Sequence, residues 1–268
     1  MSAACLLLAV LLFRSCLWAQ GSGNPPTFPP DGVVNSANGS SASLTPNTLA
    51  TLYGSDLALA TAAASLNDVA SASLPTSLAG VRVIVGGFFA TLLYVSPAQI
   101  NFLVPVNLIP GQTDISVVRG ITRTPTVQIT LLDAAPALFT ANAAIVAQHA
   151  DGNAISPDSP AHPGEVIVVY GTGLGRTDPA QVEGYVPRLP APITLLDQLQ
   201  VLLDGQPVPP ESIWYAGIAP GFPGLYQINV QLPVDIGPAP ELRVALGDQM
   251  SQSSLRLPVA INGSQPNP

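Results

Sequence analysis

Lysine is absent from this chain of 268 residues, so its eight basic residues are all arginine, set against sixteen acidic ones for a net charge of −8. Binding a nucleic-acid backbone takes clustered cations that neutralise phosphates. The arginines are few and scattered, which excludes nucleic acid as a partner, and anionic membrane surfaces fail for the same reason. Cysteine is nearly absent as well. Both copies, Cys5 and Cys16, fall within the first twenty residues, around the apolar run 6–13 and ahead of Leu17-Trp18-Ala19. A run that short, followed by small residues, reads as a secretory signal over residues 1–20 and not as a membrane span, which needs about 20 apolar residues. Arg14-Ser15 before Cys16 is the wrong context for lipidation. Cleavage near Gln20 would leave a mature chain without cysteine, without disulfides or thiolate chemistry, and without membrane insertion. The expected location is exported: secreted, periplasmic or at the cell surface.

Histidine is scarce too. His149 and His162 are the only two, and they sit in one stretch with Asp151, Asp158 and Glu165. Asp151-Gly152 reads as a hairpin turn and His162-Pro163 as loop, so these side chains are expected to be solvated, with no metal site. The serine elbow G-x-S-x-G and the calcium run D-x-D-x-D-G are both missing. Gly171-Thr172-Gly173-Leu174-Gly175 superficially matches a phosphate loop, but Arg176-Thr177-Asp178-Pro179 cannot open the helix such a loop needs. The expectation is therefore a non-enzyme with no catalytic residues and no cofactor.

What the chain does contain is punctuation: 29 prolines and 23 glycines among 47% hydrophobic residues. Short apolar runs between frequent turns indicate many short strands. An internal repeat orders them. Pro46 to Leu57 aligns without a gap on Pro163 to Leu174, matching Pro, Tyr, Gly and Leu. Tyr94 with Gln99-Ile100-Asn101 then aligns on Tyr215 with Gln227-Ile228-Asn229. A hairpin precedes each tyrosine, residues 81–85 turning at Gly86-Gly87 and 199–203 turning at Asp204-Gly205. Strands are expected to follow at 114–119 and 126–132, and again at 241–246 and 254–260. Residues 143–148 are expected to be a strand opening the second unit, and 57–66 an irregular loop. Units of about 100 residues with six or seven strands fit immunoglobulin-like sandwiches. The fold class is thus all-β, two tandem β-sandwich domains related by internal duplication. The expected boundaries are a Pro-rich spacer at 21–32, a first domain at 33–135, a second at 136–262 and a disordered tail at 263–268.

Several runs carry a resemblance. Ala147-Gln148-His149-Ala150-Asp151-Gly152, Pro163-Gly164-Glu165, Tyr94-Val95-Ser96-Pro97-Ala98-Gln99 and Ala216-Gly217-Ile218-Ala219-Pro220-Gly221-Phe222 together resemble a secreted C-terminal module family abundant in acidobacteria. The match spans nearly all of residues 33–261. It implies tandem units of the IPT/TIG immunoglobulin-like type, and no activity is established for that module. Members often carry larger domains ahead of it, where this chain has the spacer.

Two features could serve recognition. Gln99, Asn101, Gln227 and Asn229 alternate with apolar residues and so share one strand face, where they are expected to support the sandwich. The second unit also holds an insertion, residues 218–224, that the first lacks. It brings Phe222 near Trp214, Tyr215 and Tyr226, and aromatic faces beside Asn and Gln are what sugar binding uses. These four are the candidate ligand-binding residues, although filling the core or the contact between units is the simpler role for them. The expected function is a non-catalytic extracytoplasmic structural or protein-interaction module, with an unknown protein or polysaccharide of the cell exterior as partner. A carbohydrate-binding module is the alternative, and a hydrolase with an unrecognised site is less favoured.

Overall fold

The computed structural model describes residues 23–65, 68, 70–71, 73–141 and 144–260. Residues 1–20, expected to be a signal segment and holding both cysteines, and the expected tail at 263–268 lie outside the described residues. Regular structure is almost entirely strand, with single-turn 3-10 helices at Pro30–Gly32, Leu196–Gln198 and Pro210–Ser212. Among the described residues, no helix is long and apolar enough to cross a membrane.

The first sandwich pairs two sheets. One runs in the order Val33–Asn35, Leu49–Tyr53, Gln99–Leu103, Thr91–Val95 and Ala62–Ala63. The other runs Val127–Leu131, Gly111–Arg119, Val81–Val85 and Phe88–Phe89, with Thr122–Arg123 paired to Gly111–Arg119. Alternation explains why they face each other: Val81, Val83 and Val85 are fully buried while Arg82 between them is exposed. They meet Leu52, Leu92, Ile100 and Phe102 from the opposite sheet in one apolar cluster. Each such buried side chain contributes about 1.5–3 kcal/mol relative to exposure.

The second sandwich repeats the plan. Ala137–Leu138 and Ala147–His149 pair in succession along one edge of Val166–Thr172, whose other edge pairs with Tyr226–Gln231, followed by Ile213–Ile218 and Ala191–Pro192. Facing them are Gln206–Pro207, Leu199–Leu203, Leu242–Leu246 and Gln249–Met250. Val201, Val244 and Leu246 pack onto Ile167, Val169 and Ile228 in a second, separate cluster. The order of corresponding strands is the same in both units, as the repeat requires. Both hairpins turn on pairs with positive φ, Gly86-Gly87 and Asp204-Gly205.

The repeated Gly54 and Gly171 have one cause. A Cβ on Gly54 would stand 2.3 Å from the Thr27 carbonyl oxygen, and one on Gly171 would stand 2.7 Å from that of Ala137. In each unit an incoming segment crosses that strand too closely for any side chain. The supposed phosphate loop is therefore a strand end: Gly171 lies inside Val166–Thr172, and Thr177 bridges Ile193 where a helix would have begun.

Three segments differ from expectation. Residues 23–32 are more than a spacer, since Thr27 bridges Ser55, Phe28 packs on the first core, and Arg119 donates to the Asn24 carbonyl at 2.6 Å. Residues 254–260 form isolated bridges instead of a strand, because Ser254 has positive φ and Pro258 lacks an N–H. The loop at 57–66 contains a short strand, Ala62–Ala63, on the edge of the first sheet.

Candidate functional site

The candidate aromatic residues do not form one platform. Tyr226 is 0% exposed, its hydroxyl donating to the Gly175 carbonyl and accepting from Asn47 Nδ2 at 3.0 Å. Burial pushes its phenol far above the ordinary range. No ligand can stack on it, so it leaves the candidate set as a core residue. Tyr215 is half-buried, its hydroxyl donating to Ile218 O at 2.8 Å and accepting from Ala191 N at 3.1 Å. Phe222 packs against a third apolar cluster at the contact between the units. Trp214 alone stands in solvent, at 63% exposure.

That third cluster joins Leu49 and Leu103 of the first unit to Phe139, Val146, Tyr170, Ala219 and Leu225 of the second. The insertion at 218–224, unexplained by the repeat, adds Ala219 and Phe222 to the second unit's side of it. Gly224 sits where a Cβ would lie 2.3 Å from Leu103 Cδ2 and 3.0 Å from Leu49 Cγ, at φ +71°. Polar bonds join the units beside it. Thr172 Oγ1 accepts from Leu49 N at 3.0 Å and donates to Gly224 O at 2.8 Å. The Glu183 carboxylate accepts from Thr91 Oγ1 at 2.6 Å and from Val106 N at 3.0 Å. Arg176 reaches Leu108 O at 3.1 Å.

Trp214 owes its position to a β-bulge. Pairing jumps from Ile213↔Val230 to Tyr215↔Asn229, so Trp214 is the extra residue. The first unit bulges at the matching point, from Leu92↔Phe102 to Tyr94↔Asn101, and its extra residue is Leu93. Leu93 packs on the cluster between the units. Trp214 therefore occupies, at the free end of the second unit, the position that docks the first unit onto its neighbour. Sequence reasoning singled out Trp214 for its ring and missed this equivalence, although the aligned Tyr94 and Tyr215 carry it.

The histidines converge: His149 is largely covered, against the solvated-loop expectation, while His162 stays exposed. Strand pairing places His149 opposite Ile167, and Glu165 stands just before that strand. His149 Nδ1 lies 2.5 Å from Glu165 Oε1, and His162 Nδ1 lies 3.4 Å from Glu165 Oε2. His162 N also donates to Glu165 Oε2 at 2.7 Å. Desolvation disfavours the charged form of His149, but the Glu165 carboxylate, with the Ser159 carbonyl and Asp151, holds the imidazole above its ordinary value. For Glu165, desolvation acts upward, and the His162 amide and His149 together carry the carboxyl below its ordinary value. The other side of His149, Nε2, lies 3.3 Å from both Ser159 O and Ser159 Oγ. Gln99 donates to Asn101 Oδ1 at 2.7 Å and Gln227 to Asn229 Oδ1 at 3.3 Å, so the repeated polar pairs bond along their own strands. A polar hollow of about 530 Å³ lies on the first unit, lined by Gln112, Asp114, Arg123 and Gln128 among others.

Comparison with known proteins returned no matching family model and no matching curated protein. Solved structures do align, at low scores. A surface glycan-binding protein from Prevotella bryantii is 12% identical at TM-score 0.27, covering 89% of this chain and 42% of that one. A Bacteroides ovatus surface glycan-binding protein in complex with a mixed-linkage heptasaccharide is 12% identical at TM-score 0.33, over 82% of this chain and 43% of that one. Domains 5–6 of the S-layer protein SbsC are 10% identical at TM-score 0.26, over 89% of this chain and all of that one. This chain thus spans under half the length of the two glycan-binding proteins. The fold assignment stands on strand order and on the two separate cores.

Proposed function

We propose that this chain is a non-catalytic, extracytoplasmic protein-interaction module that holds two sandwiches as one body and presents the free end of the second to a partner. The observation that carries the reading is the bulge position filled by Leu93 in one unit and Trp214 in the other. At that position the first unit touches its neighbour, and at the same position the second offers an exposed indole. Around Leu93 the contact is apolar, with Leu49 and Leu103. The matching residues around Trp214 are Val166 and Gln231, which are less buried. One aromatic anchor within a more polar surround is the composition of a separable interface, where Trp is a frequent hot spot. Export, and membership of the acidobacterial module family, belong to the same proposal.

Carbohydrate binding is the second reading, favoured by the same indole, whose exposed face suits ring stacking. One experiment separates the two. Immobilised protein and its Trp214→Ala variant are probed with a broad glycan array and with solubilised bacterial envelope. An envelope protein retained by the parent and lost by the variant supports the proposal. A glycan retained in that pattern moves the function to carbohydrate recognition. Equal retention by both proteins sinks both readings of Trp214.

A further inference from the structure

We infer that His149, His162 and Glu165 form a binding site for a divalent cation of the zinc class, independent of the interaction surface at Trp214. Two imidazoles and a carboxylate are the donor set such a cation prefers, and three protein ligands leave a fourth position for water. The ligand atoms already lie within 4.8 Å of one another. Zinc bond lengths of 2.0–2.2 Å put tetrahedral ligands about 3.3 Å apart, so small side-chain rotations complete the shell. Glu165 stands between the two rings, with one carboxylate oxygen turned toward each.

The support around the site is what a ligating histidine needs. His149 Nε2 can donate to the Ser159 carbonyl at 3.3 Å, so the ring is held with Nδ1 toward Glu165, and a cation that displaces the Nδ1 proton shared with Glu165 would take up its lone pair. A backbone carbonyl that fixes the tautomer in this way is the usual outer-shell partner of a metal-bound imidazole. The His149 and Glu165 side chains are 13% and 18% exposed, so their positions are held, while His162 at 72% leaves the water side open.

The duplication supplies an independent argument. By strand register and by the aligned prolines, the first unit places Asn35, Thr45 and Thr48 where the second has His149, His162 and Glu165. The local bonding is the same. Thr45 N donates to Thr48 Oγ1 at 2.9 Å as His162 N does to Glu165 Oε2, and Asn35 Nδ2 bonds the Ser43 carbonyl at 2.8 Å as His149 Nε2 approaches that of Ser159. Three neutral side chains therefore suffice for the fold at these positions. Two histidines and a glutamate are not demanded by it, and together they add a cation-binding donor set.

The test uses tag-free protein, stripped with chelator and titrated with Zn²⁺ by calorimetry and with Co²⁺ by visible absorption. A single equivalent should bind, with the d–d bands of a tetrahedral N/O site, and Zn²⁺ at about 100 times Kd should raise Tm by about 5–10 °C. His162→Gln alters only an exposed side chain and should weaken binding about tenfold or more. The variant carrying His149→Asn, His162→Thr and Glu165→Thr, which transplants the first unit's residues, should bind no metal. Overturning results are a parent that takes up no more metal than the transplanted variant, or a His162→Gln variant with undiminished affinity. Either would leave the cluster as an ion pair only. Should the triple variant fail to fold, the single variant decides alone.

Discussion

The two sandwiches order their corresponding strands alike, although the strand Val127–Leu131 is answered only by isolated bridges in residues 254–260, and they diverge at the inter-unit contact and at the strand-entry turn. At the end of the first unit, Leu49, Leu93 and Leu103 make a dry contact with the second unit, whereas Val166, Trp214 and Gln231 make the matching end of the second unit open and mixed. At the strand-entry turn, the neutral trio Asn35, Thr45 and Thr48 in the first unit faces the ionisable trio His149, His162 and Glu165 in the second. The core valines at 81, 83 and 85 and the core residues 199, 201 and 203 show no such drift, both strands burying the same alternate positions. Duplicated cores are held by packing, while duplicated ends are free to specialise.

The sharpest way to break this comparison is to cut the same position in both units. Leu103→Ala empties part of the inter-unit cluster and should cost about 2–4 kcal/mol, read as a fall in denaturation midpoint. Gln231→Ala, its counterpart at the free end, should change stability by less than about 0.5 kcal/mol. Equal losses would mean that the two ends are not different in kind.

Gly224→Ala comes next. Its added methyl meets Leu103 and Leu49 on a backbone at φ +71°, so left-handed strain of about 1–2 kcal/mol adds to overpacking. A total loss near 2–3 kcal/mol is expected, with proteolytic nicking between the units as a second readout. A neutral result would show that the insertion does not hold the contact.

The smallest effect is a pH dependence. Burial raises the Tyr226 pKa far above the unfolded value of about 10, so the folded state favours the neutral phenol. Its contribution is fully present below pH 10 and is lost as pH rises above that value. Stability of the parent should therefore fall with rising pH in alkali. Tyr226→Phe should cost about 1–2 kcal/mol at neutral pH through the lost bonds to Gly175 and Asn47, yet flatten the alkaline decline. An unchanged alkaline slope would assign that decline to other tyrosines.

Much of the fold was legible in the chain. Period-two alternation in residues 81–85 and 199–203, the Gly-Gly and Asp-Gly turns, and the two aligned repeat blocks gave the strands and their duplication. Those signals are local, and steric rules act on them residue by residue. The candidate site was less legible. Trp214, Tyr215, Phe222 and Tyr226 lie close in sequence, yet one is exposed, one half-buried, one at the inter-unit contact and one sealed in the core.

The sequence by itself determined the class of fold, the repeat, the lack of thiol chemistry in residues 23–260 and the lack of a cationic surface. These follow from composition and short-range pattern. The tertiary structure decided which aromatic ring meets solvent, what the insertion at 218–224 touches, and that His149 meets Glu165 sixteen residues on. Those outcomes depend on strand register and on how one unit abuts the next. Both bring together groups far apart in the chain, and no local pattern encodes their distance.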